Sequence, residues 1–261
     1  MTTLLISQPN FADHRTPNGH AERAERIVAV EAALAEPRFN GLIRRDAPFG
    51  DLMLAELVHD AEYLGQLRHA RPAEGIGQLD PDTFISDKSL DVAATGLGGA
   101  LAALDAVVLG EVNNAFCAIR PPGHHAEIST AMGFCLINTI AIAAREAQRK
   151  YGAERVAIVD FDVHHGNGTQ DIFKDDPSVF YASSHEMPLF PGTGDPSETG
   201  VGNIVNCVRR CARPISPRYC RRSTISRPTC SSSPLDSMRI AAIRWPISTG
   251  PATILPGSRQ S

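Results

Sequence analysis

Short apolar runs alternate with longer segments of helical spacing over most of residues 1–206. The short runs are bounded by turn residues and predict buried strands at residues 115–119, 155–163 and 178–183. The longer segments predict helices at residues 21–34, 52–67, 89–109 and 137–150, the second of them broken near residues 59–60. Because strands that alternate with helices favour parallel pairing, we expect an α/β fold with three α/β/α layers around a mainly parallel sheet.

This alternation stops at residue 206. Arg, Ser, Pro and Cys dominate from residue 207 onward, and no helical or strand period recurs there. Residues 207–261 contain ten Arg, no Lys and one acidic residue, so their net charge of +9 leaves −13 for residues 1–206. We therefore predict one incomplete domain over residues 1–206 and a poorly structured tail over residues 207–261.

The composition excludes some classes of function. The chain has 261 residues, of which 43% are hydrophobic and 21% charged, and its net charge is −4. This charge gives no reason to expect nucleic-acid or membrane binding, although the basic tail leaves a weak nucleic-acid alternative. The apolar run Leu4, Leu5 and Ile6 is too short for a signal peptide or a membrane span, so we expect a cytoplasmic protein.

Two histidine-rich segments follow predicted strands. His124 and His125 come after the strand at residues 115–119, and D-F-D-V-H-H-G-N-G occupies residues 160–168, where the strand at residues 155–163 ends. Ligands of open parallel sheets bind beyond the carboxyl ends of the strands. We therefore expect both segments to meet at one site.

The second segment offers metal donors. Residues two apart in an extended chain point the same way, so Asp160, Asp162 and His164 are predicted to share a side. A carboxylate and an imidazole are donors that zinc accepts. The alternative for such a triplet alone is a strand end whose polar residues cap the next helix. Gly166 and Gly168 are expected to let the backbone turn sharply beneath the site.

The first segment strengthens this interpretation. His124 and His125 follow two prolines, and an imidazole can act as a base toward a metal-bound water. Asp160 is a natural partner for one of these imidazoles, and Asn167 can orient the other. The alternative is a structural histidine pair bonded to loop carbonyls. Metal donors, a base and orienting groups occurring together favour a catalytic site.

Several motifs resemble those of the histone deacetylase superfamily. These are R-P-P-G-H-H-A-E, G-F-C-L-I-N and D-F-D-V-H-H-G-N-G-T-Q, with further matches at residues 19–26, 58–63 and 184–194. The G-N-G form is similar to the branch of class II enzymes, bacterial deacetylases and acetylpolyamine amidohydrolases. The resemblance covers most of residues 1–206 and implies an arginase–deacetylase fold whose C-terminal part is lost.

The resemblance also implies roles for individual residues. The implied catalytic set is His124, His125, Asp160 and Asn167, with His125 as general base or acid, and the implied zinc ligands are Asp162 and His164. Gly133, Phe134 and Phe190 match the walls of a tunnel for an acylated amine chain, although core packing is the alternative for the two phenylalanines. Asp82 matches a carboxylate at the tunnel rim. A structural potassium ion is implied near Asp160, with Ser183 contributing.

Two motifs of that family are absent from the sequence, namely the G-F-D-A-H of a third zinc ligand and the G-G-Y of a catalytic tyrosine. Tyr219 lacks the right context. One permitted codon choice for residues 234–246, read from the last nucleotide of the Pro234 codon, encodes A-G-F-D-A-H-R-R-D-P-L-A. Met238 and Trp245 have single codons, and both fit. We hypothesise a frameshift near Cys207, and a gene unable to encode G-F-D-A-H in any frame would contradict it.

The sequence therefore predicts a zinc-dependent amidohydrolase that removes acyl groups from acetyl-lysine proteins or acetylated small amines, impaired by the two missing groups. An inactive remnant, or a module that binds acyl-lysine or a partner, is the alternative. An arginase or agmatinase would need two metals and D-A-H-x-D motifs, which the sequence lacks. We expect no direct nucleic-acid partner, no membrane partner and possible homo-oligomers.

Overall fold

The computed structural model describes residues 1–210 and 241–243. Its strands are β1 (Thr3–Ser7), β2 (Ile43–Asp46), β3 (Ile76–Gln78), β4 (Phe84–Ser86), β5 (Asn114–Ala118), β6 (Val156–Asp160), β7 (Val179–Met187), β8 (Ile204–Arg210) and β9 (Ala241–Ile243). Its α-helices are α1 (Glu25–Leu34), α2 (Ala61–Ala70), α3 (Ser89–Val108), α4 (Thr139–Tyr151) and α5 (Asn167–Phe173).

The parallel strands form two sheets. One has the order β2-β1-β5, and the other has the order β8-β7-β6-β9, in which only β9 runs antiparallel to its neighbour. A small antiparallel hairpin joins β3 to β4. Among the described strands, no ladder connects β5 to β6. The site therefore has to be held together by side chains wherever it spans these two strands.

Strand β1 was not predicted from the sequence. Leu4, Leu5 and Ile6 are fully buried because β1 is the central strand of its sheet, with β2 on one side and β5 on the other. A run of three apolar residues is thus the core of a strand buried on both faces. The strands β2, β3, β4 and β8 were also not predicted.

The long helix α3 approaches the backbone of residues 48–50 closely through small residues. A Cβ on Gly98 would lie 2.0 Å from the carbonyl oxygen of Pro48, and a Cβ on Gly50 would lie 2.6 Å from the backbone nitrogen of Gly98. The two backbones can approach this closely only without side chains. In the described part, α3 is the one helix long and apolar enough to cross a membrane, but most of it is buried, as in a core helix.

The predicted helix at residues 137–150 corresponds to α4, which ends one residue later at Tyr151. Asn138 caps its start by accepting a hydrogen bond from the backbone N–H of Ala141, and Gly152 closes its end at φ 66°. The helix predicted over residues 52–67 is interrupted near residues 59–60, as expected. A 3₁₀ turn (Leu52–Leu57) and α2 replace it, because the chain is extended at Asp60 between them.

The first residues of the expected tail are part of the sheet. Strand β8 pairs in parallel with β7 up to the match of Met187 with Arg210, which lies past the predicted boundary at residue 206. Residues 241–243 pair with β6. The rest of the tail lies outside the described residues, so its predicted lack of structure stays a prediction.

A buried ion pair ties the N-terminal segment to the chain that follows β5. Arg120 donates from Nη2 to Glu22 Oε2 (2.9 Å), and both side chains are 3% exposed. Nη1 of Arg120 donates to the backbone carbonyls of Phe11 and His14, each at 2.6 Å. This arginine therefore fixes the corner that leads to His124.

The Glu22 carboxylate makes stability depend on pH. Burial by itself would raise the pKa of Glu22, but hydrogen bonds from His14 and Arg120 outweigh it and lower that pKa to about 2. A carboxyl group whose pKa is lower in the folded chain stabilises the fold above its ordinary pKa of 4.5. We expect about 3 kcal/mol of stability to be lost as the pH falls from about 4.5 toward 2.

Denaturant unfolding at a series of pH values measures this loss. In Glu22→Gln, the curve should become flatter across that window, because no carboxyl group titrates there. An equally steep fall in that variant would contradict the assignment to Glu22.

Candidate active site

The candidate site lies where β5 and β6 end, as expected for parallel strands. The chain after β5 brings His124 and His125, and the chain after β6 brings Asp162 and His164. The rings of His125 and His164 have centroids 6.1 Å apart. The structure thus brings together the two segments that the sequence singled out.

His124 is paired with Asp160 across the two sheets. Nδ1 of His124 donates to Oδ2 of Asp160 (2.8 Å), and both side chains are buried. Tyr181 Oη donates to the same oxygen (3.1 Å), while the backbone N–H of Asp162 donates to Oδ1 (3.1 Å). Burial opposes ionisation of Asp160, but attraction to His124 and its hydrogen bond outweigh it and hold the pKa of Asp160 below its usual value.

His125 is paired with Asn167 at the start of α5. Oδ1 of Asn167 accepts from Nδ1 of His125 (2.7 Å), and Nδ2 of Asn167 donates to Glu127 Oε1 (2.7 Å). Glu127 therefore fixes which end of the amide faces the imidazole. His125 carries its proton on Nδ1 in this arrangement, so Nε2 is left as an acceptor. The His124 ring lies beside it, with centroids 4.0 Å apart.

Asp162 and His164 form a pair of donors suited to a cation. Strand β6 ends at Asp160, so a turn rather than an extended strand places them together: the backbone N–H of His164 donates to Asp162 Oδ1 (2.8 Å). His164 Nδ1 lies 3.2 Å from the same oxygen. Two ligands of a tetrahedral zinc site, each about 2.0–2.1 Å from the metal, are about 3.3 Å apart.

The donors fit zinc in kind but are one short in number. Catalytic zinc sites have three protein ligands, and no group of three potential ligands lies together in residues 1–210 and 241–243. Nε2 of His124 is buried without a hydrogen-bond partner among the described atoms. A buried polar atom of this kind is satisfied when a water molecule or a substrate group enters the site.

Phe190 forms one side of the site. Its ring meets the His125 ring edge-on at 5.1 Å between centroids, and it stands 6.3 Å from the His164 ring. The residue is 41% exposed. This exposure favours a pocket wall over core packing, because a phenylalanine in the core would be covered.

Gly133 lies directly against the His125 ring, and Phe134 follows it in the same loop. A Cβ on Gly133, which has φ 56°, would lie 2.4 Å from His125 Cδ2, so only glycine lets this loop pass the imidazole. The backbone N–H of Phe134 donates to Thr83 Oγ1 (3.1 Å). The Phe134 ring packs edge-on against His20 at 5.0 Å, a contact that the sequence did not predict.

Asp82 stands in the turn of the β3–β4 hairpin, beside this loop. The backbone of Gly133 contributes a hydrogen bond to its carboxyl group. Burial and the neighbouring Asp80 raise the pKa of Asp82 above its usual value. Asp82 is therefore next to the segment that carries Phe134, which is compatible with the rim position that the resemblance implies.

The two glycines after His165 are required by space rather than by a sharp turn. Neither Gly166 nor Gly168 has a positive φ. A Cβ on Gly166 would lie 2.3 Å from Asp160 Oδ2, and one on Gly168 would lie 2.2 Å from the carbonyl oxygen of Ala126. The expected turn was thus the wrong reason, since close approach excludes a side chain at both positions.

The sequence did not predict the contacts of two buried histidines that lie behind the site. His165 bonds Thr193 Oγ1 (2.8 Å) and Gln170 Oε1 (3.0 Å), and its ring lies 4.8 Å from that of His185. Burial and the neighbouring His185 lower the pKa of His165 to about 4, so it is neutral near pH 7. No sequence signal separates these two histidines from His124 and His125, because only packing reveals their partners.

Comparison with known proteins identifies the family. The sequence profile described as "Histone deacetylase domain" matches residues 20–216. The chain belongs to the histone deacetylase family. The match covers all the residues of the candidate site described above. The predicted family resemblance is therefore confirmed.

Relatives and solved structures agree. "Uncharacterized protein slr0245" of Synechocystis is 41% identical over 208 residues, which are 77% of this chain and 67% of that protein. A "Probable deacetylase" of Archaeoglobus fulgidus is 39% identical over 208 residues, 77% of this chain and 56% of that protein. "Histone deacetylase 4" of Caenorhabditis briggsae is 42% identical over 194 residues, 72% of this chain and 22% of that protein.

The fold comparison gives the same result. The structure entitled "Crystal Structure of HDA15 HD domain" is similar to this deacetylase-family chain with a TM-score of 0.74 and 33% sequence identity. The match covers 80% of this chain and 62% of that domain. The predicted α/β fold of arginase–deacetylase type is therefore confirmed, and this chain spans less than two thirds of the chain in that structure.

Proposed function

We propose that this chain is a zinc-dependent amidohydrolase that removes acetyl or other acyl groups from acetylated lysine or acetylated small amines. One observation carries the proposal. Two imidazoles, oriented by Asp160 and Asn167, stand beside the oxygen and nitrogen donors of Asp162 and His164. A base next to a metal position is the arrangement that metal-dependent amide hydrolysis uses.

Asp162 and His164 would hold the zinc ion. When bound, zinc would polarise the acyl carbonyl and make an attacking water more acidic. Nε2 of His125 is the acceptor for the proton of that water, since Nδ1 is occupied with Asn167. His124 keeps its Nδ1–H on the Asp160 carboxylate, so its Nε2 faces the site. Phe134 and Phe190 would cover the acylated chain and exclude water from it.

A second candidate function follows from the donor number. The described residues supply two zinc ligands, and metal affinity depends on the full ligand set. A chain with these two ligands would have low zinc affinity. It would then be an inactive remnant, or a module that binds acyl-lysine or a partner through Phe134 and Phe190. Structural potassium near Asp160 and Ser183, a cytoplasmic location and homo-oligomers remain proposals.

Zinc titration of the purified full chain, followed by calorimetry, tests the metal site. We expect Asp162→Asn to lower zinc affinity at least about tenfold, because a neutral amide replaces the charged ligand. Asp171→Asn is the matched control: Asp171 pairs with Lys174 at the surface, so this variant should bind zinc like the unchanged chain. Equal affinities in all three chains would place the metal elsewhere.

Hydrolysis assays separate the two candidate functions. An acetyl-lysine peptide and an acetylated diamine are incubated with the zinc-loaded chain, and the released amine is measured. Hydrolysis that Asp162→Asn removes supports the amidohydrolase. Binding of the peptide without hydrolysis supports the acyl-lysine-binding module, and neither binding nor hydrolysis supports the inactive remnant.

A further inference from the structure

The loop that carries Phe190 is fastened by side chains that lie outside the acyl pocket. It runs from the end of β7 to Glu198. The backbone N–H of Gly192 donates to the carbonyl of Leu189 (2.9 Å), which closes a turn that contains Phe190. The next two residues, 193–194, contact the buried histidines described above. The position of the Phe190 ring therefore depends on what holds residues 193–194.

Glu198 binds this part of the loop directly through hydrogen bonds. Its carboxylate accepts the backbone N–H of Gly194 (3.1 Å) and of Asp195 (3.0 Å). It also accepts Nε2 of Gln170 from α5 (2.5 Å). Hydrogen bonds to a charged carboxylate are stronger than those between neutral groups. One side chain thus joins the loop to the helix that begins at Asn167.

The same carboxylate sets the direction of a chain of hydrogen bonds. Because Nε2 of Gln170 points to Glu198, Oε1 of Gln170 faces Nε2 of His165 (3.0 Å) and accepts Nδ2 of Asn206 (2.8 Å). His165 must then carry its proton on Nε2, and its Nδ1 accepts the hydroxyl of Thr193 (2.8 Å). The direction of every bond from Glu198 to the loop is fixed.

His185 supplies a second anchor beside the first. Its Nε2–H donates to the carbonyl of Gly194 (3.0 Å), and its Nδ1 accepts the hydroxyl of Ser183 (2.9 Å). Gly194 has φ 89°, and a Cβ there would lie 2.5 Å from His185 Nε2 and 2.6 Å from His165 Cγ. The loop thus packs closely against both rings. Because the turn between Gly194 and Phe190 is short, a movement of residue 194 would also move Phe190.

We infer that Glu198 is a positioning residue for Phe190: through its bonds to Gly194, Asp195 and Gln170 it sets the width of the acyl pocket without touching the acyl group. The acyl pocket itself rests on the proposed function. The placement of Phe190 by Glu198 rests only on the contacts of the loop. The two statements can therefore fail separately.

Glu198→Gln in the full chain tests this inference. A glutamine places an NH2 group against three N–H donors, so at least one of these bonds is lost. We expect amide hydrogen exchange at residues 194 and 195 to become about tenfold faster. The NMR signals of the Phe190 ring, assigned by their disappearance in Phe190→Leu, should shift. The ¹⁵N signals of His165 should show loss of the pure Nε2–H tautomer.

Asp195→Asn is the matched control. It removes the same charge from the same loop, whereas the Asp195 carboxylate accepts the backbone N–H and the hydroxyl of Ser197. Its exchange rates and Phe190 signals should match those of the unchanged chain. Thr193→Val is a second, nearly isosteric variant that keeps Glu198 and removes the hydroxyl on His165. It should shift the Phe190 signals without speeding exchange at residue 195.

Unchanged Phe190 signals in Glu198→Gln, or the same shift in Asp195→Asn, would overturn the inference. If Glu198→Gln does not fold, Thr193→Val becomes the test. Unchanged Phe190 signals in Thr193→Val would then overturn the inference. In a hydrolytically active chain, Glu198→Gln should also change the ratio of kcat/KM for benzoyl-lysine and acetyl-lysine peptides. Lack of hydrolysis by the unchanged chain would count against the proposed function alone.

Discussion

Replacing Arg120 by methionine is expected to lower the free energy of unfolding by about 3–5 kcal/mol, because Glu22 would remain buried as an unpaired charge. Both partners are 3% exposed. The same arginine satisfies the backbone carbonyls of Phe11 and His14, and these would lose their donor as well. The loss affects the corner between β5 and His124, so the site should loosen along with the fold.

Denaturant unfolding followed by circular dichroism measures this effect. The control is Arg23→Met, in which a half-exposed arginine is removed, and its stability should change by less than about 0.5 kcal/mol. The double variant Glu22→Leu/Arg120→Met should recover part of the stability, because no lone charge remains buried. A single Arg120→Met variant as stable as Arg23→Met would show that the pair contributes nothing.

Replacing His125 by alanine is expected to lower kcat for an acetyl-lysine peptide by about 10²- to 10⁴-fold, which is the contribution typical of a general base or acid. Asn167 holds Nδ1 of His125, and its Nε2 is the acceptor that faces the site. Zinc binding should persist, since the donors of Asp162 and His164 are untouched. A fall in kcat with zinc retained would separate a proton-transfer role from loss of the metal.

Initial rates of the zinc-loaded chain at saturating peptide give kcat, and a zinc assay of the same sample gives metal content. His69→Ala is the control, because His69 is an exposed histidine on α2 and lies away from the site. Its rate should equal that of the unchanged chain. A His125→Ala chain that keeps its full rate would remove His125 from the mechanism.

The spacing of residues in the sequence predicted part of the candidate site. The spacing predicted that Asp160 would partner one imidazole and Asn167 the other, and the structure pairs them with His124 and His125 respectively. The spacing did not predict the assignment, because it depends on how the ends of β5 and β6 meet. Tyr181 was missed for the same reason: its hydroxyl reaches Asp160 only through the pairing of β7 with β6.

Loop contacts were even less accessible from the sequence. Glu198 follows Phe190 by eight positions, yet nothing in that spacing indicates that its carboxylate holds Gly194 and Gln170. The need for glycine at position 166 was likewise attributed to a turn, whereas the actual reason is the close approach of Asp160. Contacts between distant segments depend on packing, which a local pattern does not encode.

Local periodicity and motifs contiguous in the chain were enough to predict the family, the alternation of strands and helices, and the residue types that meet at the strand ends. Packing of distant segments determines which histidine faces which partner, brings residues from two separate sheets into one site, and places Phe190 through a carboxylate outside the pocket. These features are set by side chains far apart in the sequence, whose distances exist only once the chain has packed.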